Sequence, residues 1–140
     1  MKKFQTLVLG LASVAMLASC AKDISAEEAK KIASEWNASL NDYKGVTTTV
    51  KDSDGKTQTS SSNEYVPAAA LVSRSASQAA IAAAAEDTNS KFKADGTALE
   101  FSYKNEDGDC LYKTNADGLA TYLKVTTKDG WVETVTTWTK

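Results

Sequence analysis

The sequence predicts an α+β domain: an N-terminal amphipathic helix, an Ala-rich second helix, and a C-terminal antiparallel β-meander of three to five strands. Three observations carry this expectation. Ala29, Ile32, Ala33, Trp36 and Leu40 recur at helical spacing on one stripe. The segment 68–85 is dominated by alanine, the strongest helix former. From residue 90 onward, Asp95-Gly96, Asp107-Gly108, Asp117-Gly118 and Asp129-Gly130 punctuate strand-like runs at nearly even intervals.

The first helix is expected over about 26–41. Ser25-Ala26-Glu27-Glu28 matches a capping box, in which Ser25 accepts from the Glu28 amide and Glu28 reaches back. Both glutamates suit the positive end of a helix. Trp36, on the apolar stripe, reads as a core anchor or as a ligand-stacking residue.

Val46, Thr48 and Val50 alternate with Thr47, Thr49 and Lys51, a β-branched strand pattern. Asp54-Gly55 closes a hairpin, and Thr57 to Ser62 return as a very polar strand, as a solvent-facing edge would. Pro67 fits the first turn of the Ala-rich helix. On that helix Leu71, Arg74, Gln78, Ile81 and Ala85 would share one face, with Arg74 and Gln78 interrupting its apolar character. In the meander, Leu99, Phe101 and Tyr103 share one face, as do Leu119, Leu123 and Val125. The inward face of the last strand is ambiguous, because Val132 and Trp138 oppose Trp131 and Val135.

Ahead of all this stands an apolar run, Leu7 to Met16, behind Lys2 and Lys3. It is shorter than the roughly 20 residues a membrane-spanning helix needs, and Gly10 and Ser13 interrupt it. It ends at Leu17-Ala18-Ser19-Cys20. That tetrapeptide resembles the bacterial lipobox, the processing signal of exported lipoproteins. The resemblance implies that residues 1–19 are a removed signal peptide and that 20–24 form a lipidated tether. The domain would then occupy 25–140. It further implies that the Cys20 thiol carries a diacylglyceryl group with palmitate-type acyl chains. The protein would be exported and lipid-anchored in a bacterial cell membrane or outer membrane. Ala21 is not the aspartate that marks inner-membrane retention in the enteric pattern.

Removal of Lys2 and Lys3 would leave 14 basic against 18 acidic side chains, a net charge of −4. A mildly acidic surface without a basic cluster argues against nucleic acid as a partner and for attachment through acyl chains. Stable anchoring needs more than a single myristoyl-type chain. Cys110 is the one cysteine left, so no intrachain disulfide is expected once Cys20 is lipidated.

The chain has no histidine, which removes the usual general base near neutral pH and any Ser-His-Asp arrangement. No phosphate loop, dinucleotide fingerprint or CxxC pair is present. The sequence therefore predicts no catalytic residues, no cofactor and no metal. Asp52-Ser53-Asp54-Gly55 and Asn105 to Asp109 lack the register of an EF-hand loop.

Ile24 to Ala33 resembles the opening helix of PepSY-type domains. The order helix, polar hairpin, helix, meander is similar to the LolA/LppX-like half-barrels, which carry lipoproteins or lipids. Two functions follow as expectations. One is a non-catalytic binding or structural lipoprotein of the cell envelope, whose protein or hydrophobic ligand the sequence does not name. The other is a carrier of lipid or another hydrophobic ligand, with Leu99, Phe101, Leu123 and Trp138, and Trp36 with them, as core or ligand-facing residues.

Overall fold

A computed structural model describes residues 21–140. Its centre is an eight-stranded, wholly antiparallel sheet with two helices on one face. The strands are β1 (Lys22–Ile24), β2 (Gly45–Asp52), β3 (Thr57–Ser62), β4 (Lys91–Asp95), β5 (Ala98–Asn105), β6 (Gly108–Thr114), β7 (Ala120–Thr127) and β8 (Gly130–Thr139). The helices are α1 (Ala26–Ser34), after β1, and α2 (Val66–Ala84), after β3. Strand order across the sheet is β1-β4-β5-β6-β7-β8-β2-β3. From β1 at one edge the chain crosses the helical face through α1 to the β2–β3 hairpin at the other. It then returns through α2 to β4 and closes the gap with the meander β4 to β8.

The sheet is larger than the three to five strands expected. Two strands escaped the sequence pattern because each is short and neither alternates cleanly. β4 places only Phe92 in the core, between two exposed lysines. β1 occupies residues expected to be tether: Lys22, Asp23 and Ile24 pair with Ala94, Lys93 and Phe92. Residues 22–24, expected to lie outside the domain, are therefore part of the sheet; Cys20 lies outside the described residues.

α1 forms as its cap dictates. The Glu28 amide donates to Ser25 Oγ at 3.1 Å, and the Ser25 amide donates to Glu28 Oε1 at 3.4 Å. The helix stops at Ser34 with Glu35 as C-cap, well before residue 41. Side chains of α2 explain the early stop. Gln78 Nε2 donates to the Ala33 carbonyl at 2.8 Å, and Arg74 Nη2 donates to the Ala38 carbonyl at 2.8 Å. These bonds serve carbonyls at and beyond the helix end, where the regular helical ladder no longer supplies donors; the Ala33 carbonyl also accepts from the Trp36 amide at 3.4 Å. Trp36 and Leu40 are still buried, but from an irregular segment rather than a helix.

The buried face of α2 is Val66, Ala70, Arg74, Ser77, Ile81 and Ala84. It is rotated from the expected face: Leu71 is 56% exposed. Small residues win because they bring the helix axis close to the sheet, where Ser77 Oγ meets Tyr112 Oη at 3.0 Å. Ser73 Oγ accepts from the Ala120 amide at 2.9 Å.

Beneath the helices lies an aromatic row. Phe101 stacks on Tyr112 at 4.8 Å, on Phe92 at 5.7 Å and on Tyr103 at 5.8 Å between ring centroids. Register explains the row: Phe92, Phe101 and Tyr112 are directly paired across β4, β5 and β6. A second cluster, Leu40, Tyr43, Val66, Ala70 and Leu119, sits under the first turns of α2, with Val46 and Trp138 packed against it. Trp138 settles the face of β8. Val132, Thr134, Thr136 and Trp138 lie on the helix side, and Trp131, Glu133 and Val135 on the outer side.

Each Asp-Gly pair makes its turn. Gly55 and Gly118 both sit at φ +87° and Gly96 at +63°, conformations that side chains with a Cβ resist.

Candidate functional site

The five residues expected to be core or ligand-facing occupy the core. Trp36, Leu99 and Phe101 are buried members of the first cluster, and Leu123 packs against it. Trp138 packs against the second cluster. Trp36 Nε1 donates to the Thr97 carbonyl at 2.8 Å, and Trp138 Nε1 donates to the Ala120 carbonyl at 2.9 Å. Each indole thus spends its single donor on backbone. The five do not converge on a shared cavity. Cys20, the expected lipidation site, lies outside the described residues.

The densest polar constellation is one the sequence did not announce. It forms where the 35–44 segment, α2, the β6–β7 loop and the C-terminus meet. Tyr43 Oη donates to Asp117 Oδ2 at 2.6 Å, and Asn115 Nδ2 donates to Tyr43 Oη at 3.3 Å. Arg74 Nε donates to the Asp117 carbonyl at 2.9 Å. Lys140 stands 3.8 Å from the Asp117 carboxylate and 4.9 Å from the Tyr43 ring centroid. Burial, reinforced by the Asp117 carboxylate, pushes the Tyr43 phenol up to about 12. It therefore stays protonated and acts as a hydrogen-bond donor. Arg74 is 8% exposed and spends its guanidinium on two carbonyls. This arrangement ties four segments together and presents no activated nucleophile.

The acidic loops at Asp52–Gly55 and Asn105–Asp109 spend their side chains locally. Asp52 Oδ1 accepts from the Asp54 and Lys56 amides, both at 3.0 Å. Asn105 Oδ1 accepts from the Asp107 and Gly108 amides at 2.8 and 3.2 Å. These are turn-forming bonds of short polar side chains. Among the described residues, no group of three or more His, Cys, Asp or Glu is placed to hold a metal ion.

Cys110 is buried on the helix side of β6, and its thiol is pushed above its ordinary value by burial. A thiol so placed is a poor nucleophile. The outer face of the sheet is different in kind. Lys113 lies over the Tyr122 ring at 5.1 Å, Lys124 over Trp131 at 4.8 Å, and Tyr122 Oη donates to Glu133 at 2.6 Å. Lysines pack over these rings, as cation–π pairs do.

Two cavities lie near the start of the chain. One, of about 160 Å³, is lined by Ala21, Ala98, Leu99, Thr121, Lys93 and Lys113 among others. The other, of about 670 Å³, opens between β1 and the α2–β4 connection, with Ile24, Ala26 and Phe92 on its walls beside Asp23, Asp87 and Lys91. No helix among the described residues is long and apolar enough to cross a membrane.

No known family, curated protein or solved structure matches this chain.

Proposed function

We propose that this chain is a cell-envelope lipoprotein, anchored through lipid on Cys20, whose domain binds or supports a partner rather than catalysing a reaction. One observation carries the reading: Leu17-Ala18-Ser19-Cys20 ends two residues before the first described strand, which starts at Lys22. Cleavage before Cys20 would leave every described strand and helix intact. With only Ala21 between the anchor and β1, the domain would sit close against the membrane surface. A binding or supporting role rests on the absence of histidine from the chain and on the structural use of its most concentrated polar group, around Tyr43 and Asp117.

The lipid-carrier reading has less behind it. Sites for drug-sized ligands run to about 300–1,000 Å³ and are mostly apolar. The cavity at Ala21, at about 160 Å³, is below that range, and the one of about 670 Å³ has mixed walls, with Asp23, Asp87 and Lys91 beside Ile24, Ala26 and Phe92, rather than a mostly apolar lining.

Detergent-phase partitioning tests the anchor. The wild-type chain, expressed in a bacterium with lipoprotein processing, should enter the detergent phase, and Cys20→Ser should move to the aqueous phase or remain unprocessed. Identical partitioning of the two would overturn the proposal.

A further inference from the structure

The two edges of the sheet are built differently. The β1 edge is three residues long and carries Lys22 and Asp23. Short length and charge are the usual means of preventing edge-to-edge pairing. The β3 edge has neither. Thr57–Ser62 is six residues long, exposed at every position, and contains no charge and no proline. Its register with β2 runs one to one without a bulge.

The hydrogen-bond pattern shows which groups of β3 are free to pair. The Asp52 amide donates to the Lys56 carbonyl at 3.1 Å. Antiparallel pairs alternate between bonded and non-bonded. From Asp52 opposite Lys56, the bonded pairs are Val50 with Gln58, Thr48 with Ser60 and Val46 with Ser62. The backbone groups of Thr57, Thr59 and Ser61 therefore point away from β2. Side-chain contacts agree, because non-bonded pairs sit closer: Thr49 Oγ1 lies 3.2 Å from Thr59 Oγ1, and Thr47 Oγ1 2.9 Å from Ser61 Oγ.

We propose that β3 is a self-pairing edge, through which two copies of this chain join antiparallel about a two-fold axis at Thr59. In that register Thr59 faces Thr59 of the second copy, and Thr57 faces its Ser61. Every outward amide and carbonyl of the three residues finds a partner. A two-fold contact requires a self-complementary patch, and this strand is one. Its outer-face row reads Thr, Thr, Ser, so each facing pair is hydroxyl on hydroxyl, a favourable cross-strand combination that β2 and β3 already use. No charge within the strand meets its like. Beyond it, Lys56 lies diagonal to Glu64 of the second copy, while the exposed Asp54 stands opposite that glutamate. β3 offers no apolar side chain with which to select a foreign peptide. Pairing of five residues from each copy falls short of the roughly 1,200 Å² of a stable interface, so the association is weak and concentration-dependent. It does not depend on the lipid anchor.

Cross-linking of the full chain, purified in detergent, tests this. Bonded antiparallel partners have Cα atoms about 5.5 Å apart, within disulfide range. Under mild oxidation Thr59→Cys should give a covalent dimer far faster than Ser60→Cys or the wild-type chain, whose native cysteines set the background. Thr59→Lys, which sets like charges face to face on the axis, should abolish the concentration-dependent dimer in sedimentation while leaving the circular dichroism melt unchanged. The proposal is overturned if Thr59→Cys cross-links no faster than Ser60→Cys. It is equally overturned if the Thr59→Lys dimer persists, or if the chain stays monomeric at millimolar concentration and only an added peptide protects the β3 amides from exchange.

Discussion

Replacing Gly118 by alanine separates two costs that are usually confounded. Gly118 and Gly55 share φ +87°. An L-residue forced into left-handed backbone costs roughly 1–2 kcal/mol. At Gly55 nothing lies within 4 Å of an added Cβ, so Gly55→Ala should show that strain alone. At Gly118 the added Cβ falls 2.5 Å from both Cδ2 and Cε3 of Trp36. The indole cannot step aside cheaply: its Nε1 is held by the Thr97 carbonyl and its ring is 7% exposed in the first core cluster. Overpacking of that kind adds roughly 1–3 kcal/mol. Gly118→Ala should therefore cost about 2–5 kcal/mol, exceeding Gly55→Ala by the packing part. Urea unfolding followed by far-ultraviolet circular dichroism reads both variants. Introducing Trp36→Leu should shrink the Gly118→Ala penalty, because neighbouring sites couple. Equal penalties at the two glycines, or a Gly118 penalty indifferent to residue 36, would refute the packing assigned to Trp36.

Other substitutions test the remaining parts of the fold. Trp36→Ala should cost about 3–5 kcal/mol, as emptying a buried aromatic site does, and an unchanged urea midpoint would put Trp36 outside the core. Arg74→Met removes two charged hydrogen bonds while keeping most of the aliphatic stem. At roughly 1.5–3 kcal/mol for each such bond, it should destabilise strongly and speed amide exchange in the 35–44 segment; normal exchange there would contradict its capping role. Asp87 accepts from the Asn89 and Lys104 amides at 3.0 and 2.8 Å, and these bonds hold its carboxyl below its ordinary value. A carboxyl lowered on folding stabilises above its unfolded value, near 3.8, and loses that contribution as pH falls through the folded value. The wild type should thus lose stability below about pH 4 more steeply than Asp87→Asn, and parallel acid titrations of stability would contradict this.

Much of the architecture was legible wherever one local rule acted alone. The Ser25–Glu28 cap, Pro67 at the head of α2, the Asp54-Gly55 hairpin and the four meander strands each carry their own signal. The misses have one physical origin: they depend on partners distant in sequence. β1 is a strand only because β4 offers it an edge. α1 stops at Ser34 because Gln78 and Arg74 reach across from α2. These were the two residues that made the α2 face look poor as an apolar stripe, and their value lies in the carbonyls they serve. The true α2 face follows from close approach to Tyr112, which favours Ala70, Ser77 and Ala84 over Leu71. Tyr43 and Asp117 are 74 positions apart, and nothing in either neighbourhood signals the other. Asp117 looked like an ordinary turn residue, and its second role becomes visible only in the assembled fold.

Intact-mass and peptide mass spectrometry of the membrane-extracted protein tests the proposed function most directly. The account predicts that the N-terminal residue is Cys20, bearing a diacylglyceryl group, with Ala21 and Lys22 following. An unmodified polypeptide that retains residues 1–19, or one that begins at another position with Cys20 unlipidated, would contradict it.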